Sequence, residues 1–208
     1  NSIYLNKNLK PYDKDLNKSK QLLKKSGFYL DKKGKLFDKH GHRVEFDLYT
    51  NAGNTEREAI GVMVKQDLED LGMKVNFKPI EFNSLVNKLV VIMGLTGSPL
   101  EPNGGKNVWL SDGRLHMFNQ RTPQEGKAKI LPWEKELDYL YTQGALATKF
   151  EDRKKYYDKY QEVVYNEKPM IYIYSPIRIV ALRNKFKNIY PSGLGGITHN
   201  IEEIYIGE

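Results

Sequence analysis

The sequence of 208 residues contains no cysteine, which excludes thiol catalysis, disulfide bonds and zinc sites built on cysteine. It also has no uninterrupted apolar run near the roughly 18 residues that a membrane-spanning helix needs. The first residues, 1–4, show neither an initiator methionine nor the pattern of a secretory signal peptide. We therefore expect either a processed start or a fragment of a longer chain.

The charge of the chain is moderately positive, with 33 lysines and arginines against 26 acidic residues and a net charge of +7. Such an excess allows nucleic acid or anionic lipid as a partner. The basic runs are short, as at 153–155, and lysines and acids are interleaved through both halves of the sequence. We therefore favour a solvated lysine-rich surface, and keep a basic nucleic-acid-binding domain as the alternative.

Catalytic motifs are missing. There is no nucleophile elbow, no phosphate-binding loop and no dinucleotide fingerprint. His40 and His42 share a polar loop without a third ligand at metal-binding spacing, and His116 and His199 have no nucleophile beside them in the sequence. We therefore expect a protein that is not an enzyme, with no catalytic residues, no metal and no cofactor.

The clearest structural pattern is a strand–helix–strand unit. Apolar and polar residues alternate over 44–49 and again over 74–79, and an amphipathic helix is predicted between them over 55–71. Thr55 and Glu58 have the spacing of a capping box at the start of that helix. The order predicts a parallel βαβ unit.

Weaker patterns predict the other elements. Leu22 and Leu23 form the inward face of a first helix, which Gly27 closes. A helix over 83–89 runs directly into a strand over 90–95, although such connections usually take about 2–6 residues, so we expect that residues are missing between Lys88 and Val91. The remaining predictions are a hairpin-like loop at 31–41, a helix at 17–26, and strands at 170–174, 177–182 and 201–206. Two further helices are predicted with apolar stripes: one from Pro132 with Leu137, Leu140 and Tyr141, and one at 151–166 with Tyr156, Tyr160, Val163 and Val164.

A long stretch rich in glycine, proline and asparagine covers residues 94–132. Loops of this length inside a compact domain are usually functional or disordered, and the aromatic content here argues against disorder. Trp109 lies in this stretch outside any core periodicity. We therefore expect its ring to have a partner other than the hydrophobic core, namely the ligand, and keep as the alternative that Trp109 anchors this loop onto the domain.

Several sequence blocks, taken in order, resemble the C-terminal part of the peptide/nickel-type (family 5) extracellular solute-binding proteins of bacterial ABC importers. The resemblance covers nearly the whole chain and is carried by blocks at 12–13 with 20–28, 31–41, 46–75, 136–138 and 153–174. It implies an α/β fold, specifically the C-terminal lobe of a periplasmic-binding-protein type II-like structure with a mixed sheet and flanking helices. We expect residues 1–176 to form this ligand-binding lobe. Residues 177–208 would form a strand-rich tail that returns toward a missing N-terminal lobe.

The resemblance also implies a function. We expect a monomeric, extracytoplasmic binding component, in the periplasm or lipid-anchored on the outer face of the membrane. It would capture a small solute, in the first place a peptide, in a cleft between lobes and deliver it to the ABC permease membrane subunits, with no nucleic acid bound. The ligand-facing segment matches 94–102, and the candidate ligand-binding residues are Thr96, Gly97, Ser98, Glu101, Asn103 and Trp109.

Ser98 departs from the family pattern. Many peptide binders of the family have an aspartate at the matching position that holds the α-ammonium of the peptide, and serine cannot supply that charge-assisted partner. Glu101 would replace it, or the ligand lacks a free amine. The identity of the ligand, whether peptide, sugar or another solute, therefore stays open at this point.

Overall fold

The computed structural model describes residues 2–85, 101–116, 130–174, 179–192 and 196–207. They form two compact units. We call residues 11–96 the βαβ unit, and residues 1–10 together with 97–208 the helical unit. The predicted strand at 90–95 and the junction between Lys88 and Val91 lie outside the described residues.

The centre of the βαβ unit confirms the predicted parallel pair. Strand β3 (Glu45–Asn51), helix α2 (Thr55–Glu69) and strand β4 (Lys74–Ile80) follow each other, and β3 and β4 pair in parallel from Glu45 opposite Lys74 to Asn51 opposite Ile80. Leu48 and Val75 are buried under the predicted stripe of α2. A Cβ at Gly61 would overlap the ring of Phe77, so the missing side chain lets the helix lie directly on the strand.

The start of α2 corrects the predicted capping box. The N-cap is Asn54, whose side-chain oxygen accepts a hydrogen bond from the N–H of Arg57 at 2.9 Å. Glu58 accepts from the N–H of Gly53 at 2.8 Å. Asparagine caps as well as threonine does, and here it stands one residue earlier and so takes the capping position. Gly72 ends the segment as predicted, with φ +88°.

The first part of the βαβ unit contains helix α1 (Leu16–Lys25), strands β1 (Tyr29–Leu30) and β2 (Leu36–Phe37), and the short helix α3 (Phe82–Leu85) at its end. Gly27 closes α1 as predicted, with φ +89°. The N–H groups of Gly27 and Phe28 donate to the carbonyls of Lys24 and Leu23, the two bonds of a Schellman motif. Strands β1 and β2 pair antiparallel, so the hairpin turn is shorter than the loop predicted at 31–41 and β2 lies within that range.

The predicted inward face of α1 is wrong in part. Leu22 is 55% exposed, and no residue of α1 is buried. Helical periodicity identifies which face of a helix is apolar, but burial also requires another element that covers that face.

The helical unit is built on two helices joined by three residues. After the short helix α4 (Lys106–Trp109) come α5 (Pro132–Leu146) and α6 (Phe150–Glu167). Their core combines the predicted stripes with residues that the periodicity did not identify: Leu137, Leu140 and Tyr141 from α5, Tyr157, Val163 and Val164 from α6, and Tyr4 and Trp109. A Cβ at Gly144 would lie 2.7 Å from the Tyr157 ring, so this glycine sets how closely α5 and α6 approach.

The strands predicted near the C-terminus are mostly wrong. The described residues of 170–174 and 177–182 form no strand, since a strand exists only where another chain segment pairs with it. The strand predicted at 201–206 is right in part. Residues 201–203 form a 3-10 turn. The two-residue strand β6 (Tyr205–Ile206) pairs antiparallel with β5 (Phe186–Lys187). The boundary expected at 176 lies among residues 175–178, outside the described part, and stays a prediction.

Candidate functional site

The structure divides the six predicted ligand-binding residues into two groups. Thr96, Gly97 and Ser98 lie outside the described residues. Glu101, Asn103 and Trp109 belong to the helical unit, within a continuous stretch that we call the anchored segment, residues 101–116. Its contacts determine what these three side chains can do.

Glu101 has both carboxylate oxygens engaged. Its Oε1 accepts a hydrogen bond from the hydroxyl of Tyr157 at 2.6 Å, and its Oε2 accepts from the N–H of Asn103 at 3.0 Å. The second bond caps a 3-10 turn over Pro102–Gly105. Glu101 therefore joins the beginning of the anchored segment to the buried face of α6.

Asn103 has its backbone fixed and its side chain available. The N–H donates to Glu101, and the carbonyl accepts from the N–H of Lys106. The residue is half-buried. Among the described residues, no hydrogen bond to its carboxamide occurs, so the side chain can offer a donor and an acceptor to a ligand.

Trp109 lies in the hydrophobic core, so the reason for expecting a partner outside the core is wrong. The residue is 7% exposed, and its ring meets the Tyr160 ring edge-on at 5.5 Å between centroids. A core built from two helices and a loop has no single sequence period, which is why the spacing around Trp109 gave no sign of burial. Its role in ligand binding stays a prediction.

Two acidic residues of α5 fasten the later part of the anchored segment. Asp138 accepts from the N–H and from the hydroxyl of Ser111, at 2.7 Å and 2.6 Å. Glu134 lies against His116, with 2.8 Å between Oε1 and the imidazole Nε2, and its Oε2 accepts from the N–H of Leu131 at 2.7 Å. Hydrogen bonds to charged groups are stronger than neutral ones, so these residues hold the segment in one arrangement.

The His116–Glu134 contact is the most deeply buried pairing of a histidine, lysine or arginine side chain with an acidic one among the described residues, with side chains 3% and 0% exposed. The Nδ1 of His116 lies 3.0 Å from the carbonyl of Val108. A carbonyl only accepts, so Nδ1 carries a hydrogen and the remaining ring nitrogen faces the carboxyl. Sequence reasoning found no role for this histidine, and its position shows that it is a structural contact.

The tyrosine hydroxyls of this core act as donors. Burial, followed by the hydrogen bond to Glu101, raises the pKa of Tyr157 above its usual value. Burial raises the pKa of Tyr141 as well, and that of Tyr160 to about 12. The hydroxyls therefore stay protonated at physiological pH, and Tyr157 remains available as the donor to Glu101.

The N-terminal residues complete the helical unit, which the sequence did not suggest. The N–H of Asn6 donates to Oε1 of Gln161 at 2.9 Å, and Nε2 of Gln161 donates to the carbonyl of Tyr4 at 2.8 Å. The Tyr4 ring meets the Tyr157 ring edge-on at 5.4 Å. The ring of Tyr157 is thus enclosed from the N-terminus as well as from α5.

For two of these residues, Glu134 and Asp138, the sequence contains a pattern that could have indicated a buried contact. Glu134 and Asp138 lie four residues apart, beside the apolar stripe of α5, and an acid that is buried at such a position is almost always paired. The Glu101–Tyr157 bond joins residues 56 positions apart, so no local pattern could reveal it.

In the ranges that the structure describes, no helix is long and apolar enough to cross a membrane, and no group of three acidic or histidine side chains could hold a metal ion.

Comparison with known proteins identifies the family. The family model described as bacterial extracellular solute-binding proteins, family 5 Middle, matches residues 1–116. This range is more than half of the chain and includes the anchored segment. The chain belongs to this family. The expected resemblance is therefore confirmed.

Two sequence relatives of this family 5 chain illustrate its extent. It is 35% identical over 121 residues to a probable ABC transporter-binding protein of Deinococcus radiodurans, covering 48% of this chain and 20% of that protein. It is 26% identical over 175 residues to the oligopeptide-binding protein AppA of Bacillus subtilis, covering 79% of this chain and 30% of AppA. The chain thus spans less than a third of the length of these relatives.

Solved structures show the same α/β fold. The structure of AppA from Bacillus subtilis in complex with a nonapeptide matches all of this family 5 chain and 41% of AppA, with a TM-score of 0.72 at 19% identity. NikZ from Campylobacter jejuni in complex with Ni(L-His) matches 81% of this chain and 33% of NikZ, with a TM-score of 0.64 at 24% identity. These similarities confirm the predicted fold class.

Proposed function

We propose that this chain is a ligand-binding lobe of the substrate-binding component of an ABC importer. It captures an oligopeptide or a related small solute in a cleft between two lobes and delivers it to the permease. The observation that carries this proposal is the family match over residues 1–116, because it ends on the anchored segment and includes all six predicted ligand-binding residues. The role is one of binding, with no chemical step.

The packing of the anchored segment supports a binding role. Three carboxylates, those of Glu101, Glu134 and Asp138, fasten this segment to α5 or α6. A binding surface that is ordered before the ligand arrives loses less conformational entropy when the ligand binds. The helical unit thus provides a rigid support that begins, in the sequence, three residues after the predicted ligand residues 96–98.

We also propose that the whole protein has two lobes. Residues 1–176 form the ligand-binding lobe, and the tail at 177–208 returns to the other lobe. Residues 171–174 and 179–182 carry large apolar side chains that stay exposed, with Ile171 and Ile179 each 89% exposed. Apolar segments of this kind usually mark an interaction surface. We place the missing lobe against them, and locate the whole protein outside the cytoplasm, in the periplasm or lipid-anchored.

A thermal-shift screen on the full-length protein tests the proposal. Oligopeptides, oligosaccharides, nickel–histidine and duplex DNA are added separately, and the melting temperature is followed. A ligand at 100 times its Kd stabilises the folded protein by about 2.7 kcal/mol, so we expect a clear rise with oligopeptides. The isolated 208-residue chain serves as the comparison and should show a much smaller rise, because pockets bury about 70–90% of a small ligand.

Other outcomes would contradict all or part of the proposal. A rise only with DNA that disappears between low and high salt would favour the basic nucleic-acid-binding alternative. A rise only with the saccharides or with nickel–histidine would keep the transport role and remove peptide as the ligand. An isolated chain that binds as tightly as the full-length protein would argue against a second lobe.

A further inference from the structure

The positive charge of the chain is concentrated in one part of the βαβ unit. Residues 11–44 contain 10 lysines and arginines and 4 acidic residues, a net charge of +6, while the whole chain carries +7. The rest of the chain is therefore close to neutral, because its basic and acidic residues balance. We call residues 11–44 the basic region; it consists mainly of α1 and the β1–β2 hairpin.

Three of the four acidic residues in the basic region serve the backbone. Asp15 caps α1, with its carboxylate 2.8 Å from the N–H of Lys18. Asp31 and Asp38 each close a loop by accepting two backbone N–H groups, at distances between 2.7 Å and 2.9 Å. All nine lysines of the region are exposed. The acids thus fix the loops, and the lysines form the surface.

The lysines of the basic region also differ from those in the rest of the βαβ unit in how they are paired. The other lysines described in this unit have an acidic oxygen within 2.7–2.8 Å: Lys65, Lys74 and Lys78. Of the nine in the basic region, only Lys14 forms an ion pair with a described residue, Asp67. The charge of the basic region is therefore left without partners in its own unit.

Helix α1 exposes like charges together with apolar side chains. Lys20 and Lys24 are exposed one helical turn apart, where two like charges repel each other. Leu22 lies between them in the sequence and is half-exposed, as are Tyr29 and Leu30 at the start of the hairpin. Exposed apolar side chains on a lysine-rich helix are typical of surfaces that lie on the headgroups of a membrane.

The residue type favours lipid over other anionic partners. Lysine is depleted at protein–protein interfaces, and arginine is the residue suited to fixed, two-pronged recognition of phosphate in nucleic acid. The basic region has nine lysines and one arginine. That arginine, Arg43, is already engaged, because its guanidinium donates to the carbonyls of Leu36 and Gly72. Lysines are point charges on flexible stems, which suit the mobile phosphates of a lipid surface.

We propose that the basic region is a docking surface for a membrane of anionic phospholipid. Its lysines lie against the headgroup phosphates, and Leu22 inserts between the headgroups. The contact orients the protein on the membrane whether or not a ligand is bound. It therefore goes beyond the proposed function and does not depend on which solute is carried.

Sedimentation with vesicles tests this docking, using the full-length protein without lipid modification and without ligand. We expect binding to vesicles in which a third of the lipid is phosphatidylglycerol, and none to phosphatidylcholine alone. Each lysine near an anionic surface contributes about fivefold, so Lys20→Gln combined with Lys24→Gln should lower the partition coefficient about 25-fold. Leu22→Ser should lower it about fivefold. Raising the salt from about 0.01 M to about 0.15 M shortens the Debye length from about 30 Å to about 8 Å and should weaken binding.

A matched control removes the same charge elsewhere. Lys135→Gln combined with Lys149→Gln changes two exposed lysines of the helical unit and should leave the partition coefficient within twofold of wild type. The Lys20 and Lys24 double variant should melt no lower than wild type, because it removes a repulsion, so its lost binding cannot come from unfolding.

Duplex DNA and polyglutamate are tested as the other anionic partners. Binding of either as tightly as the phosphatidylglycerol vesicles would overturn the assignment to lipid. No binding to the vesicles, equal binding to both kinds of vesicle, or an equal loss in the Lys135 and Lys149 control would also overturn it. A failed ligand screen would leave the vesicle result unchanged, so this inference and the proposed function fail separately.

Discussion

Replacing Trp109 by alanine distinguishes a core residue from a ligand contact. The ring is 7% exposed, in a core that also contains Leu137 and Tyr141. An indole of this kind buries about 200 Å², which at about 25 cal/mol per Å² corresponds to about 5 kcal/mol. Measured costs of replacing a buried tryptophan or phenylalanine by alanine are about 3–5 kcal/mol. For a chain of this length, the melting temperature should fall by about 6–20 °C.

Thermal unfolding followed by circular dichroism measures this effect, and peptide affinity of the full-length protein is measured on the same variant. Tyr139→Ala is the control, since it removes an aromatic ring of α5 that is 57% exposed; it should lower the melting temperature by no more than about 4 °C. If Trp109→Ala melts within 2 °C of wild type, the core assignment is refuted. Lost affinity with an unchanged melting temperature would make Trp109 a ligand contact.

Further predictions concern both units. Gly144→Ala should lower the urea midpoint, because the new Cβ meets the Tyr157 ring at 2.7 Å and overpacking costs about 1–3 kcal/mol; an unchanged midpoint would mean that the helices separate freely. Asn54→Ala removes the cap of α2 and should cost about 1 kcal/mol in the same assay, whereas no change would contradict the cap assignment. The hydrogen bond from Lys78 lowers the pKa of Asp47 to about 2. The unfolded carboxyl has a pKa of about 3.9, so the stabilisation is present above that value and is lost as the pH falls toward 2. The urea midpoint of wild type should therefore approach that of Asp47→Asn between pH 4 and pH 2. If the difference between the two midpoints stays constant over this pH range, the Lys78–Asp47 ion pair is not the source of the stabilisation.

Sequence periodicity identified the elements whose partners are close in the chain. The alternation at 44–49 and 74–79 and the stripe of α2 specified the parallel unit, because a βαβ connection brings its own two strands together. The same is true of Gly27 and Gly72, since each ends a segment through its own backbone conformation. The apolar stripe of α5 was also visible, because its residues recur every three or four positions.

The contacts of the candidate site were decided by the tertiary structure. Glu101 and Tyr157 are 56 residues apart, and Asn6 and Gln161 are 155 apart. Before folding, nothing in the local sequence distinguishes Glu101 as a support from Glu101 as a ligand group, because a carboxylate serves either purpose. Only the packed core shows that its two oxygens are occupied while the carboxamide of Asn103 is not.

The sequence by itself therefore determined the family blocks and the α/β class, whereas the ligand stretch that it indicates at 94–102 stays a prediction. Those properties depend on local pattern and on the order of motifs. The tertiary structure decided which side chains of the anchored segment face the core and which remain available. That distinction depends on long-range packing, because burial and hydrogen bonding are properties of neighbours in space and not of neighbours in sequence.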